Sequence, residues 1–125
     1  MGLQLKRAYD SADEADGERL LVDRLWPRGL RKDQARLSAW LKDLAPSDEL
    51  RRWFAHDPER WPAFQMRYRA ELADPQRAAQ LQQVGAMARQ GTVTLLFAAR
   101  DAQRNNAVVL KEAIEDYLEQ SAKIR

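Results

Sequence analysis

The segment Leu20-Leu21-Val22-Asp23-Arg24-Leu25-Trp26-Pro27-Arg28-Gly29 constrains the fold more than any other part of the chain. Leu20, Leu21 and Val22 form an apolar run bounded by turn residues, the pattern of a strand covered on both faces. We read the strand as running from Leu20 to Leu25. Asp23 and Arg24 put charge inside or just beyond it, where charge is costly unless paired or used. Pro27 lacks an N–H for a β-ladder and Gly29 permits a positive φ, so the strand must stop in a sharp turn. Its carboxyl end therefore delivers two arginines and a tryptophan into a rigid loop.

A chain of 125 residues with 45% apolar residues is the size of one domain and can bury one core. We take 1–125 as a single compact domain. No apolar run approaches the ~20 residues needed to cross a bilayer, and the N-terminus lacks the order of a signal peptide. Cysteine is absent, which removes disulfides, thiolate nucleophiles and thiolate metal sites. The expected compartment is the cytoplasm, with no membrane partner. The net charge of +2 is too balanced for bulk nucleic-acid binding. The charge is uneven, however: Arg19, Arg24, Arg28, Arg31, Lys32 and Arg36 crowd a stretch whose only acids are Asp23 and Asp33.

Leu3–Ala8 reads as a first strand. The short link from it to the second strand fits a hairpin more easily than a parallel crossover, and their relative direction stays open. Leu37, Trp40, Leu41 and Leu44 fall on one face of an amphipathic helix. Ser47 is placed to cap the next helix, with Leu50, Trp53 and Phe54 inward. Asp57-Pro58 and Asp74-Pro75 are two further helix starts. The first carries Trp61, Phe64, Tyr68 and Leu72, and the second runs to about Gln90. Trp40, Trp53 and Trp61 are expected to be chiefly packing residues. The run from Thr92 to Ala99 reads as a central strand with both faces covered. A last helix starts near Asn105 or Asn106, with Leu110, Ala113, Ile114, Tyr117 and Leu118 on one face. The order predicts an α/β fold: a small, mostly parallel sheet of three or slightly more strands, packed with about five helices.

Ligands of open α/β sheets sit beyond the carboxyl ends of the strands. Two such ends should converge here, one bringing Arg24, Trp26 and Arg28, the other Asp101, Asn105 and Asn106. Planar guanidinium forks suit phosphate or carboxylate, a helix N-terminus favours anions, and Trp26 can stack on a ring. The competing reading gives these residues structural work: Arg24 paired with Asp23 or Asp101, Trp26 in the core, Asn105 as a cap. His56, the single histidine, titrates near neutrality and is the candidate acid or base. It also follows a helix whose free carbonyls attract a donor, the commoner role. One histidine and no cysteine argue against a metal site, and no phosphate loop or dinucleotide motif implies a cofactor.

Lys6-Arg7-Ala8-Tyr9-Asp10, the segment from Leu21 to Gly29, Ala45-Pro46-Ser47 with Arg51, Phe54-Ala55-His56-Asp57, Phe64, Tyr68, Glu71-Leu72, the run from Thr94 to Ala98, and Asn106 through Leu110 together resemble the YeaO-like bacterial proteins, domain of unknown function family 488. The resemblance covers nearly the whole chain. Phe97 stands where tyrosine is common and Ala8 where valine is common. It implies a compact cytosolic α/β domain and adds weight to Arg24, Trp26, Arg28, Ser47, Arg51, His56 and Asn106 without assigning them roles.

The leading functional reading is a small cytosolic protein that binds a phosphate-bearing, nucleotide-like small molecule in a cleft lined by Arg24, Trp26, Arg28, Arg51, Asp101 and Asn106. The alternatives are a hydrolase or transferase using His56 with Asp57 or Asp101, and a nucleic-acid or protein interaction module using the Arg19–Arg36 surface. Nothing in the sequence speaks to oligomeric state.

Overall fold

The computed structural model describes residues 2–124. Four strands form one parallel sheet: β1 (Gly2–Arg7), β2 (Glu18–Leu21), β3 (Ala39–Trp40) and β4 (Thr92–Phe97), in the spatial order β1-β4-β2-β3. Five α-helices accompany them: α1 (Lys32–Ala35), α2 (Asp48–Phe54), α3 (Trp61–Leu72), α4 (Pro75–Gln90) and α5 (Asn106–Ile124). The expected α/β fold, with its small parallel sheet and about five helices, is the fold observed.

β4 is the strand its composition demands. From Val93 to Phe97 every residue is buried, and β4 is paired on both sides, to β1 and to β2. The period-two alternation splits the apolar residues between faces. Leu20, Val93, Leu95 and Phe97 join Phe64, Tyr68, Leu110 and Ile114 in the main core, beneath α3, α4 and α5. Leu21 and Leu96 face the other way and meet Ala8, with Trp26, Leu30 and Leu37 packed over them. One face therefore carries three long helices, and the other a thin layer made of the loop after β2 and the short α1.

The link between β1 and β2 is not a hairpin. Both strands run parallel to β4, which lies between them. Residues 8–17 are enough to run back along strands this short, since an extended residue spans about 3.3 Å. The return passes through the 3-10 turn Glu14–Asp16 and enters β2 at Gly17, where φ is +62°. A Cβ there would lie 2.1 Å from the Thr92 carbonyl oxygen, so only glycine fits. Asp16 is buried and pairs with Lys6 at 3.1 Å and Arg19 at 2.5 Å, while its carbonyl accepts the Thr94 hydroxyl at 2.7 Å. Arg19 is thus an interior residue, 3% exposed, and drops out of the basic surface expected from Arg19 to Arg36.

The helix expected over Leu37 to Leu44 does not form. α1 ends at Ala35, with Arg36 left-handed at φ 46°. The chain then straightens: the Ser38 N–H bonds the Arg19 carbonyl, Ala39–Trp40 pairs with β2 as β3, and the Leu41 N–H bonds the Leu21 carbonyl. The backbone groups on the open edge of β2 need partners, and meeting that need outweighs the helical spacing of the side chains. Trp40 consequently sits at the sheet edge, 37% exposed, rather than in the core. Trp61 stacks on Phe64 with ring centroids 5.8 Å apart, and Trp53 lies under the guanidinium of Arg67.

β2 also ends earlier than expected, at Leu21, although the Val22 N–H still reaches the Leu96 carbonyl. Asp23 and Arg24 therefore lie beyond the strand rather than within it. Ser47 caps α2 as expected, accepting the Leu50 N–H at 3.2 Å, and Glu71 of α3 grips both its N–H and its hydroxyl.

Candidate functional site

A parallel sheet places all strand carboxyl ends on one side. There the structure has a cleft of about 830 Å³, bounded by the segments that follow β1, β2 and β4, the end of α2, and the start of α5. The volume falls within the range of small-molecule sites. Arg24, Trp26, Arg28, Arg51, Asp101 and Asn106 all line it, as does His56. Residues distant in the sequence are thus brought to one opening.

Their local commitments differ. Arg24 pairs with neither Asp23 nor Asp101. Its Nε donates to the Pro46 carbonyl at 2.8 Å and its Nη2 to the Ala45 carbonyl at 3.4 Å, which fastens the β2 loop to the entry of α2. It also borders a second, smaller cavity of about 550 Å³ beside Gln76, Arg77 and Gln80 of α4. Trp26 donates its indole N–H to the Leu30 carbonyl at 2.8 Å and meets Trp40 edge-on at 5.5 Å. It holds the turn as well as facing the cleft. Arg28 is exposed, and its carbonyl accepts the Tyr9 hydroxyl at 2.8 Å. Arg51 reaches Asp48 at 3.3 Å through Nη2, while its buried Nε has no partner among the described residues.

Asp101 organises its own loop. Its carboxylate accepts the N–H groups of Gln103 and Arg104 and the Arg104 Nε. The Gln103 N–H first, and then the Arg104 side chain, hold this carboxyl below its ordinary range. Asn105 caps α5, accepting the Val108 N–H at 3.2 Å, as the structural reading expected. Asn106 turns the other way and donates to the Val22 carbonyl at 2.8 Å and to Asp23 at 3.2 Å.

His56 stands exposed at the mouth, after two successive left-handed residues: Ala55 at φ 46° and His56 itself at φ 57°. Non-glycine residues in this region carry strain of about 1–3 kcal/mol each and cluster at functional sites. The ring lies 6.2 Å from that of Phe54.

Three charged lining residues escaped the sequence reading of the site. Arg52 and Arg100 are exposed, and with Arg24, Arg28 and Arg51 they bring the arginines around the cleft to five, against the carboxylates of Asp23 and Asp101. Arg100 was within reach of the strand-end rule that singled out Asp101. Asp23 is the third. It lines the cleft as a half-buried residue, accepting the Ala98 N–H at 2.9 Å and the Asn106 amide. Burial pushes its carboxyl above the usual value, against the opposing pull of the Ala98 N–H, Asn106 and the nearby His56. The sequence signal was the cost of an acid at a buried strand end.

Among the described residues no group of three or more histidines, cysteines and acids is placed to hold a metal ion, and no helix is long and apolar enough to cross a membrane.

Comparison with known proteins matches residues 2–124 to the family described as the inactive DUF488-N3 subclade. The chain belongs to this family. It is 42% identical over 112 residues to an uncharacterized protein of Mycobacterium tuberculosis, covering 90% of this chain and 92% of that one. The same figures hold for an uncharacterized protein of Mycobacterium bovis. It is 40% identical over 112 residues to the uncharacterized protein YeaO of Escherichia coli, covering 90% of this chain and 96% of YeaO. No solved structure matches the chain at a significant level. The resemblance read from the D-R-L-W-P-R-G element and its companions is therefore correct.

Proposed function

We propose that this is a cytoplasmic protein that binds a phosphate-bearing, nucleotide-like small molecule in the cleft at the carboxyl edge of its sheet, without turning it over. The observation that carries the reading is the excess of arginine around one opening. Five guanidinium groups line it, and among the described residues those of Arg28, Arg52 and Arg100 have no ion-pair or hydrogen-bond partner. Unpaired guanidinium groups at the rim of a concave site suit a phosphate, which they bind through paired N–H donors. The start of α5 at the same opening adds a favourable dipole. Phe54 and Phe64 supply apolar lining for a ring.

The subclade's description as inactive favours binding over catalysis. The reading of His56 as an acid or base rests on its exposed place at the mouth, and the reading of the Arg19–Arg36 stretch as a polymer surface is weakened by the burial of Arg19.

The test is ligand-induced stabilisation. Nucleoside monophosphates at about 10 mM should raise the melting temperature, because a ligand that binds only the folded state stabilises it by mass action. The double variant Arg28→Ala/Arg100→Ala should bind about tenfold or more weakly with an unchanged melting temperature in the absence of ligand. If no phosphate compound shifts the wild-type protein, the reading is wrong.

A further inference from the structure

The cleft holds a second chemical feature that an arginine rim does not explain. Asp23, half-buried in the cleft lining, pairs with none of the five arginines around it. Arg24, next in the chain, is turned away to the carbonyls of Ala45 and Pro46. Each carboxylate oxygen of Asp23 accepts one bond, Oδ2 from the Ala98 N–H and Oδ1 from the Asn106 amide. A carboxylate has about four acceptor positions, so about half of its capacity is left for whatever fills the cleft. The two bonds, one to each oxygen, hold the group in one orientation. Phosphate cannot rest against such a group, because the two anions repel. Whatever fills the cleft must be anionic where it meets Arg28, Arg52 and Arg100, and must offer hydrogen-bond donors at the other end.

Resting on the phosphate-binding reading above, we propose that the cleft selects a guanine nucleotide, with Asp23 accepting the base's N1–H and 2-amino donors while the rim arginines hold the phosphate. Of the common bases, only guanine presents two adjacent N–H donors that match the two oxygens of one carboxylate. Adenine and cytosine set an acceptor nitrogen beside their amino group. Uracil flanks its single N–H with two carbonyls, which a carboxylate repels. A site built around a fixed polar group discriminates strongly against ligands that leave it unpaired. Burial already disfavours the charge on Asp23 and raises its carboxyl pKa, so donors from a ligand would meet a real need.

The experiment is a titration of the full chain with GMP, IMP, AMP, UMP and ribose 5-phosphate, read by calorimetry. GMP should bind at least tenfold more tightly than AMP and UMP, with IMP, which lacks the 2-amino group, between them. Asp23→Asn should abolish the preference for GMP while ribose 5-phosphate still binds, no more weakly than to the wild-type protein. A GMP preference below tenfold in the wild-type protein overturns the inference, and this arm needs no variant to fold. A preference that survives Asp23→Asn overturns it too. Ribose 5-phosphate separates the two readings. If it binds and the bases are not distinguished, the phosphate site stands and the role of Asp23 falls. If neither it nor any nucleotide binds, both fall.

Discussion

The carboxylate of Asp23 accepts the backbone N–H of Ala98 at 2.9 Å, joining the residues just past β2 and β4 by a side chain where the ladder has ended. The paired register of the two strands stops at Leu21 and Leu96, and the segments that follow both line the cleft. Asp23 thereby extends the sheet by one bond and keeps a polar face toward the opening.

Asp23→Ala removes that bond and leaves the Ala98 N–H and the Asn106 amide short of an acceptor. Stability should fall by about 1–3 kcal/mol. Urea denaturation would measure the loss, and native-state hydrogen exchange should show the Ala98 amide losing protection while the amides of Val93 and Leu95 keep theirs. An unchanged Ala98 amide would mean that the bond contributes nothing.

Asp16 gives the protein an acid-sensitive cross-link. Burial pushes its carboxyl up, but the Asp13 N–H, Lys6 and Arg19 together outweigh that and hold it below its ordinary value of 3.8. A depressed folded-state pKa means that the unfolded chain binds the proton first as pH falls. The stabilisation is therefore fully present above about pH 4 and is lost as pH drops through the lower folded value. Denaturation midpoints of the wild-type protein and Asp16→Asn, measured from pH 7 to pH 2, should differ most at neutral pH and converge in acid. A constant gap would contradict this.

Gly17→Ala should be among the most damaging single changes. The new Cβ would lie 2.1 Å from the Thr92 carbonyl oxygen, at a φ of +62° that alanine resists. We expect a loss of about 3 kcal/mol or more, visible as a large fall in melting temperature. Gly29→Ala, at φ 77° but with open space around its Cβ, should cost only about 1 kcal/mol. Equal effects would show that backbone conformation rather than the contact dominates.

Tyr68→Phe isolates one buried hydrogen bond. The Tyr68 hydroxyl donates to the Leu44 carbonyl at 2.8 Å, and both residues are fully buried. Removing the hydroxyl leaves that carbonyl without its donor and should cost about 1–3 kcal/mol with no change in ligand binding.

How much of this was legible in the sequence follows the reach of each physical signal. Local signals read true: Ser47 as a cap, Asp74-Pro75 as the start of α4, and Thr92 onward as the buried central strand. Signals that depend on an unseen neighbour did not. Leu37, Trp40, Leu41 and Leu44 have helical spacing, yet Ala39 and Trp40 answer the open edge of β2, which no local pattern announces. The short link after β1 resembled a hairpin because β4, the strand inserted between β1 and β2, arrives only at Thr92. The gathering of Arg24, Arg28 and Asn106 at one cleft was foreseeable because strand ends in a parallel sheet share a side, whereas Arg51 and His56 belong to α2 and the turn after it, which that rule does not reach. Asp23 was not picked out because its value lies in bonds to Ala98 and Asn106, both distant in the chain.

The strand order also dictates when this protein can fold. β1 is made first, but its ladder partner is β4, and Gly2 waits for Thr92. While the ribosome is still adding α3 and α4, β1 has no sheet to join, and β2 has at most the two residues of β3 beside it. Sheet assembly is thus deferred until β4 emerges, a strongly non-local order that slows folding and leaves strand edges open meanwhile. A released chain truncated before Thr92 should form no sheet, and one truncated just after Phe97 should still expose the main core, because Leu110 and Ile114 of α5 help to close it.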